Sequence, residues 1–206
     1  MRKVIILIML VVTALSFGQK HTVDQLELAG LKGIFVNSDQ IFRVNIIAGD
    51  TKDVVISSGI EGETYESVLI NTKVENALVV ITVGRTPDFE AFDDKLAAHK
   101  VMSVEIDITM PRDLDLWVDS ALASVHASGS YKYININLAS GDCYLLDFTG
   151  NGIINTNRGD IIVETRSSSI EAHSRHGKLL IDEIESPVHR LELTSIDGNI
   201  TVSQSK

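Results

Sequence analysis

The sequence predicts an all-β protein, a single-domain β-solenoid of the right-handed, parallel β-helix type. Three observations carry this prediction. Four glycines recur at spacings of 18, 18 and 21 residues, two apolar columns follow them, and two more precede them in the same register. Apolar columns at period 2 that restart about every 18 residues are typical of stacked β-coils. One coil cannot bury its inward face alone, so neighbouring coils must stack to form the core.

The repeat lies between Ile134 and Val202, within regular coils expected over about 112–204. The glycines are Gly141, Gly159, Gly177 and Gly198. The column two residues after the glycines consists of Cys143, Ile161, Leu179 and Ile200. The column four residues after them consists of Leu145, Val163, Ile181 and Val202. The column seven residues before the glycines consists of Ile134, Gly152, Ile170 and Leu191. The column five residues before them consists of Ile136, Ile154, Ala172 and Leu193.

The glycines are predicted to turn the corners between strands, where φ can be positive. The three extra residues before Gly198 predict a corner loop around 185–187. We expect the coils to stack in chain order. The last coil must then resist edge pairing, and the polar tail at 203–206 can serve that purpose.

Residues 1–18 are predicted to be a signal peptide, which leaves 19–206 as the mature domain. Arg2 and Lys3 precede an apolar run of about 12 residues, and small residues stand before Gln19. The run is short for a membrane span of about 20 residues. An uncleaved N-terminal anchor is the alternative, and no membrane span is expected after Gln19. The protein is therefore expected to be exported, to the periplasm or the cell surface.

The first half of the mature chain predicts short, irregular β-strands that continue the same stack. Between Val23 and Val83, alternating apolar residues are interrupted by turn signals about every ten residues. The segment 85–100 breaks this pattern. Its residues Phe89, Phe92 and Leu96 would share one face of a short helix, so we expect a helical or loop insertion. The insertion is expected to act as a surface cap or as a binding element.

Composition excludes several classes of protein. The single cysteine, Cys143, precludes an intramolecular disulfide, and its inward position indicates a buried apolar side chain. Removing Arg2 and Lys3 with the signal takes the formal charge from −10 to −12. Such an acidic surface disfavours nucleic acid and anionic lipid as partners.

The chain resembles the bacterial "putative adhesin" domain families, of the head-domain β-solenoid type and of unknown function. The resemblance covers about residues 25–204. It rests on the segment Met110-Pro111-Arg112 leading into Leu-x-Leu-x-Val, and on the Ser-Gly-Asp-like corners at 140–142 and 158–160. The insertion at 85–100 and the corners at 177–178 and 198–199 depart from the pattern. The resemblance implies no catalytic or ligand residues.

Four motifs in the sequence are candidates for a functional role. Arg158-Gly159-Asp160 is an integrin-type tripeptide, but its glycine and aspartate already have corner positions, so a structural role is expected. His173, His176 and His189 form a loose group, whereas a zinc site needs three or four converging ligands. Asp142 and Asp160 would stack about 4.8 Å apart, with Lys178 on the next coil. We interpret them as corner-capping residues, and no metal or other cofactor is predicted.

The fourth motif is an outward column that is unexpectedly apolar. Tyr144, Ile162 and Leu180, followed by Thr201, stand three residues after the corner glycines. An exposed apolar stripe requires cover. The N-terminal strands or the 85–100 insertion could pack on it, or it could be an interaction stripe for a partner or a second copy.

The predicted function is that of an exported, non-enzymatic, adhesin-like protein of the cell envelope, which presents a rigid β-surface to an unknown protein or glycan. The alternative is a scaffolding module in the periplasm that self-associates, by coil edges or through the stripe. A polysaccharide-active enzyme is a third hypothesis, which requires clustered carboxylates in a long groove. No catalytic residue is predicted, because the sequence contains no established hydrolase or phosphate-binding motif.

Overall fold

The computed structural model describes residues 19–26, 30–62, 65–88 and 102–205. Strands dominate this part of the chain, and its one helical element is a 3-10 turn, Tyr65–Ser67. The first eight strands are β1 (Gln19–Leu26), β2 (Gly33–Asn37), β3 (Arg43–Gly49), β4 (Val54–Gly62), β5 (Val68–Glu75), β6 (Leu78–Arg85), β7 (Met102–Pro111) and β8 (Asp115–Ser120). The others are β9 (Ser124–Ser140), β10 (Cys143–Arg158), β11 (Ile161–Thr165), β12 (Ser168–Ser174), β13 (Leu179–Ile181), β14 (His189–Ser195) and β15 (Ile200–Gln204).

One 15-stranded sheet curls so that two rows of strands share a core. The first row runs β1-β4-β7-β3-β9-β10-β11-β15-β13. The second row runs β5-β6-β2-β8-β9-β10-β14-β12. The long strands β9 and β10 belong to both rows, because each bends through a corner and pairs first in one row and then in the other.

The predicted apolar columns pair across the described strands and most of their side chains are buried, but Leu179 and Ile181 on β13 are exposed. Cys143 lies opposite Val125 on one side and Ile161 on the other, 18 residues away in each direction. Ile161 and Ile200 are also paired and fully buried. The columns form the core because strand side chains alternate between faces, and the apolar set can be buried only on the inward face.

The expected stacking order is wrong at the C-terminal end. β14 lies between β10 and β12, and β15 lies between β11 and β13. The last coil in the chain is therefore inserted beneath the preceding one. The loop 182–188, which holds the three extra residues, returns the chain to this position and includes Ser186 at φ 52°. The tail at 203–205 consequently does not close the stack, and the terminal edge is formed by β12 and β13.

The N-terminal strands continue the stack as expected, but they do so with mixed direction. β2 pairs in parallel with β6 and β8, and β3 pairs in parallel with β7 and β9. In contrast, the pairs β1–β4, β4–β7 and β5–β6 are antiparallel. The turn between β5 and β6 explains the last pair, since Asn76 and Ala77 both have positive φ, as a tight hairpin requires. The prediction of an all-β fold is confirmed, whereas a uniformly parallel sheet is wrong.

Two sequence predictions concern residues outside the described ranges. The signal peptide at 1–18 is one of them. The insertion at 85–100 is the other, because only its first four residues, 85–88, lie within the described part, and β6 ends at Arg85. Among the residues that the structure describes, no helix is long and apolar enough to cross a membrane.

Candidate interaction surface on the outer face

The structure separates the three residues of the predicted stripe. Tyr144 on β10 lies opposite Ile162 on β11, and the two side chains are half-buried. Thr201 on β15 comes next, and only then Leu180 on β13, whose side chain is 66% exposed. Tyr144 and Ile162 therefore adjoin, whereas Leu180 stands at the terminal edge. The N-terminal strands lie in the rows of the sheet and not across this face.

Tyr144 stacks on a neighbour that the sequence did not point to. The ring centroids of His126 and Tyr144 lie 4.5 Å apart, and the angle between the ring planes is 19°. The tyrosine hydroxyl is 3.2 Å from a carboxylate oxygen of Asp142. Burial, and then Arg43, lower the pKa of His126, while Asp142 opposes them. Burial and Asp142 raise the pKa of Tyr144. At neutral pH the pair is therefore an uncharged aromatic surface beside one carboxylate.

A second outward column adds two exposed aliphatic residues. Ile47 on β3 and Leu146 on β10 both lie opposite Ser128 on β9, and they are 56% and 39% exposed. A serine between two larger side chains leaves a groove of about 200 Å³. Its lining consists of Asn45, Ile46, Ile47, His126, Ala127, Ser128 and Leu146.

We call this surface the outer patch, and its residues are Ile47, His126, Tyr144, Leu146 and Ile162. It continues across four neighbouring strands of the first row, β3, β9, β10 and β11. A sequence signal existed for two of its members. Ile46-Ile47 and Leu145-Leu146 are apolar pairs in strands, and alternation forces one residue of each pair outward.

One edge of the outer patch borders an acidic pocket. Asn45 lies opposite Asp107 on β7 and donates to its carboxylate at 2.7 Å, and Arg43 lies 3.5 Å from Glu105. The pocket has a volume of about 180 Å³. It is lined by His21, Ser57, Gly59, Glu61, Ser103, Glu105 and Asp107. The carboxylates of Glu105 and Asp107 are thus held by polar neighbours in a shallow depression.

The corner aspartates form a ladder with backbone N–H groups. The N–H of Asp160 donates to Asp142 Oδ1 at 2.8 Å, and the N–H of Asn199 donates to Asp160 Oδ1 at 2.7 Å. The N–H of Lys178 then donates to Asn199 Oδ1 at 3.0 Å. The interpretation of these residues as structural corner groups fits this geometry. Lys178 was expected on the coil next to Asp160, but Asn199 lies between them.

The histidine group does not converge. His176 Nδ1 lies 2.5 Å from Asp197 Oδ1. His173 on β12 pairs with Thr194 on β14, and His189 on β14 pairs with Ser168 on β12. Within the described ranges, no three His, Cys, Asp or Glu side chains are placed to hold a metal ion. Cys143 is fully buried, and burial raises the pKa of its thiol to about 12.

Comparison with known proteins gives a likeness of fold. No protein-family model and no curated protein matches the chain. The crystal structure of a "putative cell adhesion protein" from Clostridium sporogenes is 14% identical, with a TM-score of 0.64, over 91% of this chain and 100% of that one. A "putative adhesin" from Bacteroides fragilis is 12% identical, with a TM-score of 0.41, over 89% and 97% of the two chains. A "putative lipid binding protein" from Parabacteroides distasonis is 11% identical, with a TM-score of 0.29, over 92% and 98%.

The resemblance to bacterial proteins described as adhesins is therefore confirmed. At 14% identity, the likeness to the Clostridium sporogenes protein concerns the fold alone. The other two superpose too little to support inference about this chain.

Proposed function

We propose that this chain is an exported, non-enzymatic, adhesin-like protein of the bacterial cell envelope that binds a protein partner through the outer patch. The groove between Ile47 and Leu146 is the observation that carries the proposal. Both side chains are exposed on strands of a hydrogen-bonded sheet. Contiguous apolar surface of this kind, bordered by polar groups, is typical of protein interaction sites.

The chemistry of the border specifies the partner. The groove meets Asp107 and Glu105 on one side, and Asp142 lies beside the Tyr144 ring. The whole chain has a formal charge of −10. An apolar side chain flanked by lysine or arginine fits this surface, because opposite potentials raise the association rate and suppress acidic competitors. A glycan fits less well, since the rings of His126 and Tyr144 stack on each other.

A binding assay with arrayed peptides tests the patch directly. We expect the protein to bind peptides in which leucine is flanked by lysines in preference to those in which it is flanked by glutamates. The double variant Ile47→Ser/Leu146→Ser should lose about tenfold or more in affinity, as expected for central apolar contacts. The control is Val23→Ser, an equally apolar residue that is 68% exposed on β1, away from the patch. Equal binding by both variants, or binding to a glycan array only, would refute the proposal.

Export rests on Arg2 and Lys3, the apolar run that follows them, and the small residues before Gln19. We place the mature protein at the cell surface, with the periplasm as the alternative. Protease treatment of intact cells, with a periplasmic protein as the control, distinguishes them. Loss of this protein alone supports surface exposure. Survival of both proteins excludes adhesion to other cells and favours a periplasmic scaffold.

The enzymatic alternative has one supporting feature, the pocket with Glu61, Glu105 and Asp107. A polysaccharide hydrolase needs two carboxylates facing each other across the scissile bond in a cleft that holds several sugars. This pocket is shallow, and Arg43 and Asn45 occupy two of its carboxylates. Release of reducing sugar from acidic polysaccharides, abolished in Glu105→Gln, would replace the binding proposal.

We further infer that the rows from β8 onward form a short β-solenoid, with the right-handed coiling expected of parallel crossovers. Parallel pairing supports this inference. Strands β9 and β10 match over 12 residue pairs, at an offset of 18 residues along most of the register.

A further inference from the structure

The terminal edge of the first row is short, exposed and apolar. β13 pairs with β15, and among the described strands it is the last in its row. Its three residues Leu179, Leu180 and Ile181 are 47%, 66% and 41% exposed. An unpaired apolar edge of this kind is a template for another strand.

The core opens at the same end of the molecule. Leu179 and Ile181 continue the inward columns of Ile200 and Val202, which are buried. Between β12 and β13 lies an open cavity of about 260 Å³, bordered by Ile170, Ile181, Asp182, Glu183, Ile184, Pro187 and Ser169. Inward side chains with no further layer above them leave apolar surface in water, which favours association.

The backbone of β13 is oriented for an additional strand. The N–H of Ile200 donates to the carbonyl of Lys178, and the N–H of Asp182 donates to the carbonyl of Val202. In a parallel pair, alternate residues direct both backbone groups to the same neighbour. The even-numbered residues of β13 therefore face β15, and the N–H and C=O groups of Leu179 and Ile181 face the free edge.

We propose that a second copy of this chain docks on the terminal edge, with the two β13 strands antiparallel about a two-fold axis at Leu180. In this register Leu179 lies opposite Ile181 of the partner subunit. These are the residues whose backbone groups are free, so each pair exchanges two hydrogen bonds, as antiparallel geometry requires. The same pairing places inward side chains against inward side chains and joins the two cores.

Charge selects this register. Lys178 and Asp182 flank β13 in the sequence Lys-Leu-Leu-Ile-Asp. Two-fold pairing about Leu180 sets Lys178 opposite Asp182 of the partner subunit, and symmetry makes the contact twice. Both side chains lie on the same face as Leu180, at positions that are not hydrogen-bonded, where opposite side chains approach most closely. A shift of two residues would replace both ion pairs by contacts between leucine and a charge.

Charge reversal provides the test, with sedimentation equilibrium from micromolar to millimolar concentration as the measurement. We expect the wild-type protein to exist as monomer and dimer in equilibrium, with the dimer fraction rising with concentration. Lys178→Asp and Asp182→Lys each create two like-charged contacts and should weaken the dimer about tenfold or more. The double variant restores opposite charges and should dimerise nearly as well as the wild type. Lys73→Asp on β5, at the far end of the second row, is the matched control and should change nothing.

Mixing the two single variants gives a second, independent readout. In Lys178→Asp both charged positions that flank β13 are acidic, and in Asp182→Lys both are basic. An equal mixture of the two variants should therefore form a heterodimer, although each variant alone is monomeric. Leu180→Asp, an exposed position, should also abolish the dimer while the circular dichroism spectrum stays unchanged. A wild-type monomer at all concentrations, single variants that dimerise normally, or open-ended growth beyond the dimer would each overturn the proposal. Open-ended growth would indicate head-to-tail contact with the β1 edge instead.

Discussion

The corner glycines are required for two separable reasons, and four alanine substitutions distinguish them. A Cβ atom at Gly141 would lie 2.3 Å from the backbone oxygen of Ala123, and φ there is +113°. Gly198 has the close contact without the positive φ, since its Cβ would lie 1.7 Å from the oxygen of Gly159. Gly30 has the positive φ, +87°, with nothing within 4 Å. Gly49 has neither.

The magnitudes follow from these geometries. A side chain in a region of φ that only glycine adopts costs about 1–3 kcal/mol. Overpacking against backbone costs a further ~1–3 kcal/mol, since the next layer must move. We therefore expect Gly141→Ala to lower the free energy of unfolding by about 2–6 kcal/mol. Gly198→Ala and Gly30→Ala should each lose about 1–3 kcal/mol. Gly49→Ala should be neutral or gain up to about 1 kcal/mol, because alanine restricts the unfolded chain.

Urea unfolding followed by fluorescence measures these differences, because Trp117 is the single tryptophan of the chain. Circular dichroism on the same samples checks that the sheet unfolds together with the signal from Trp117. The total stability of a domain is about 5–15 kcal/mol, so the largest expected loss is easily resolved. If Gly198→Ala is as stable as Gly49→Ala, adjacent layers separate without cost and close approach is not the reason for glycine. If Gly30→Ala loses as much as Gly141→Ala, φ alone accounts for the requirement.

Three further predictions concern single side chains. The pKa of His126 is lowered in the folded state, so the unfolded chain binds a proton at this residue at higher pH than the folded chain does. The free energy of unfolding should therefore fall as the pH drops through about 6.5. In urea titrations between about pH 7.5 and 5.5, the variant His126→Asn should show a smaller fall. An unchanged slope in that variant would contradict this. Burial raises the pKa of the Cys143 thiol to about 12, so a thiol reagent should label it only after unfolding, and labelling faster than unfolding would refute its inert role. Asp160→Glu destroys the Arg-Gly-Asp tripeptide but keeps a carboxylate at the corner, so cell attachment should not change; a loss of attachment would establish a receptor role.

The sequence predicted which face each residue of the repeat occupies, because alternation leaves only one way to bury the apolar set. It predicted the order of the layers wrongly for a related reason. Ile161 can pair equally well with Leu179 or with Ile200, since both columns present an aliphatic side chain inward. Periodicity therefore determines faces and corners but not neighbours. The three extra residues near Ser186 were the one available sign of a departure, and they were interpreted as a simple corner loop.

The hydroxyl groups beside the corners were overlooked in the same repeat. Three residues before their glycines, Thr156, Ser174 and Ser195 each donate to a carbonyl of the adjacent layer. The Ser174 bond, to the carbonyl of Gly198, is 2.7 Å long. The first coil has Leu138 at this position, which obscured the pattern. The outer patch was found only in part, because Ile47 stands outside the glycine repeat that defined the predicted stripe.

The layers at both ends of the stack interleave distant parts of the chain. β2 and β3 lie between strands that follow them by some 40 to 80 residues, just as β14 and β15 lie within the C-terminal layers. Each inserted layer is hydrogen-bonded on both sides, so it cannot leave without breaking two interfaces. A stack in chain order could fray one coil at a time, since each repeat would contact only its neighbours. Interleaving couples the ends to the centre, and it leaves β13, a strand from within the chain, as one of the free edges of the described sheet and the one proposed to pair with a second copy.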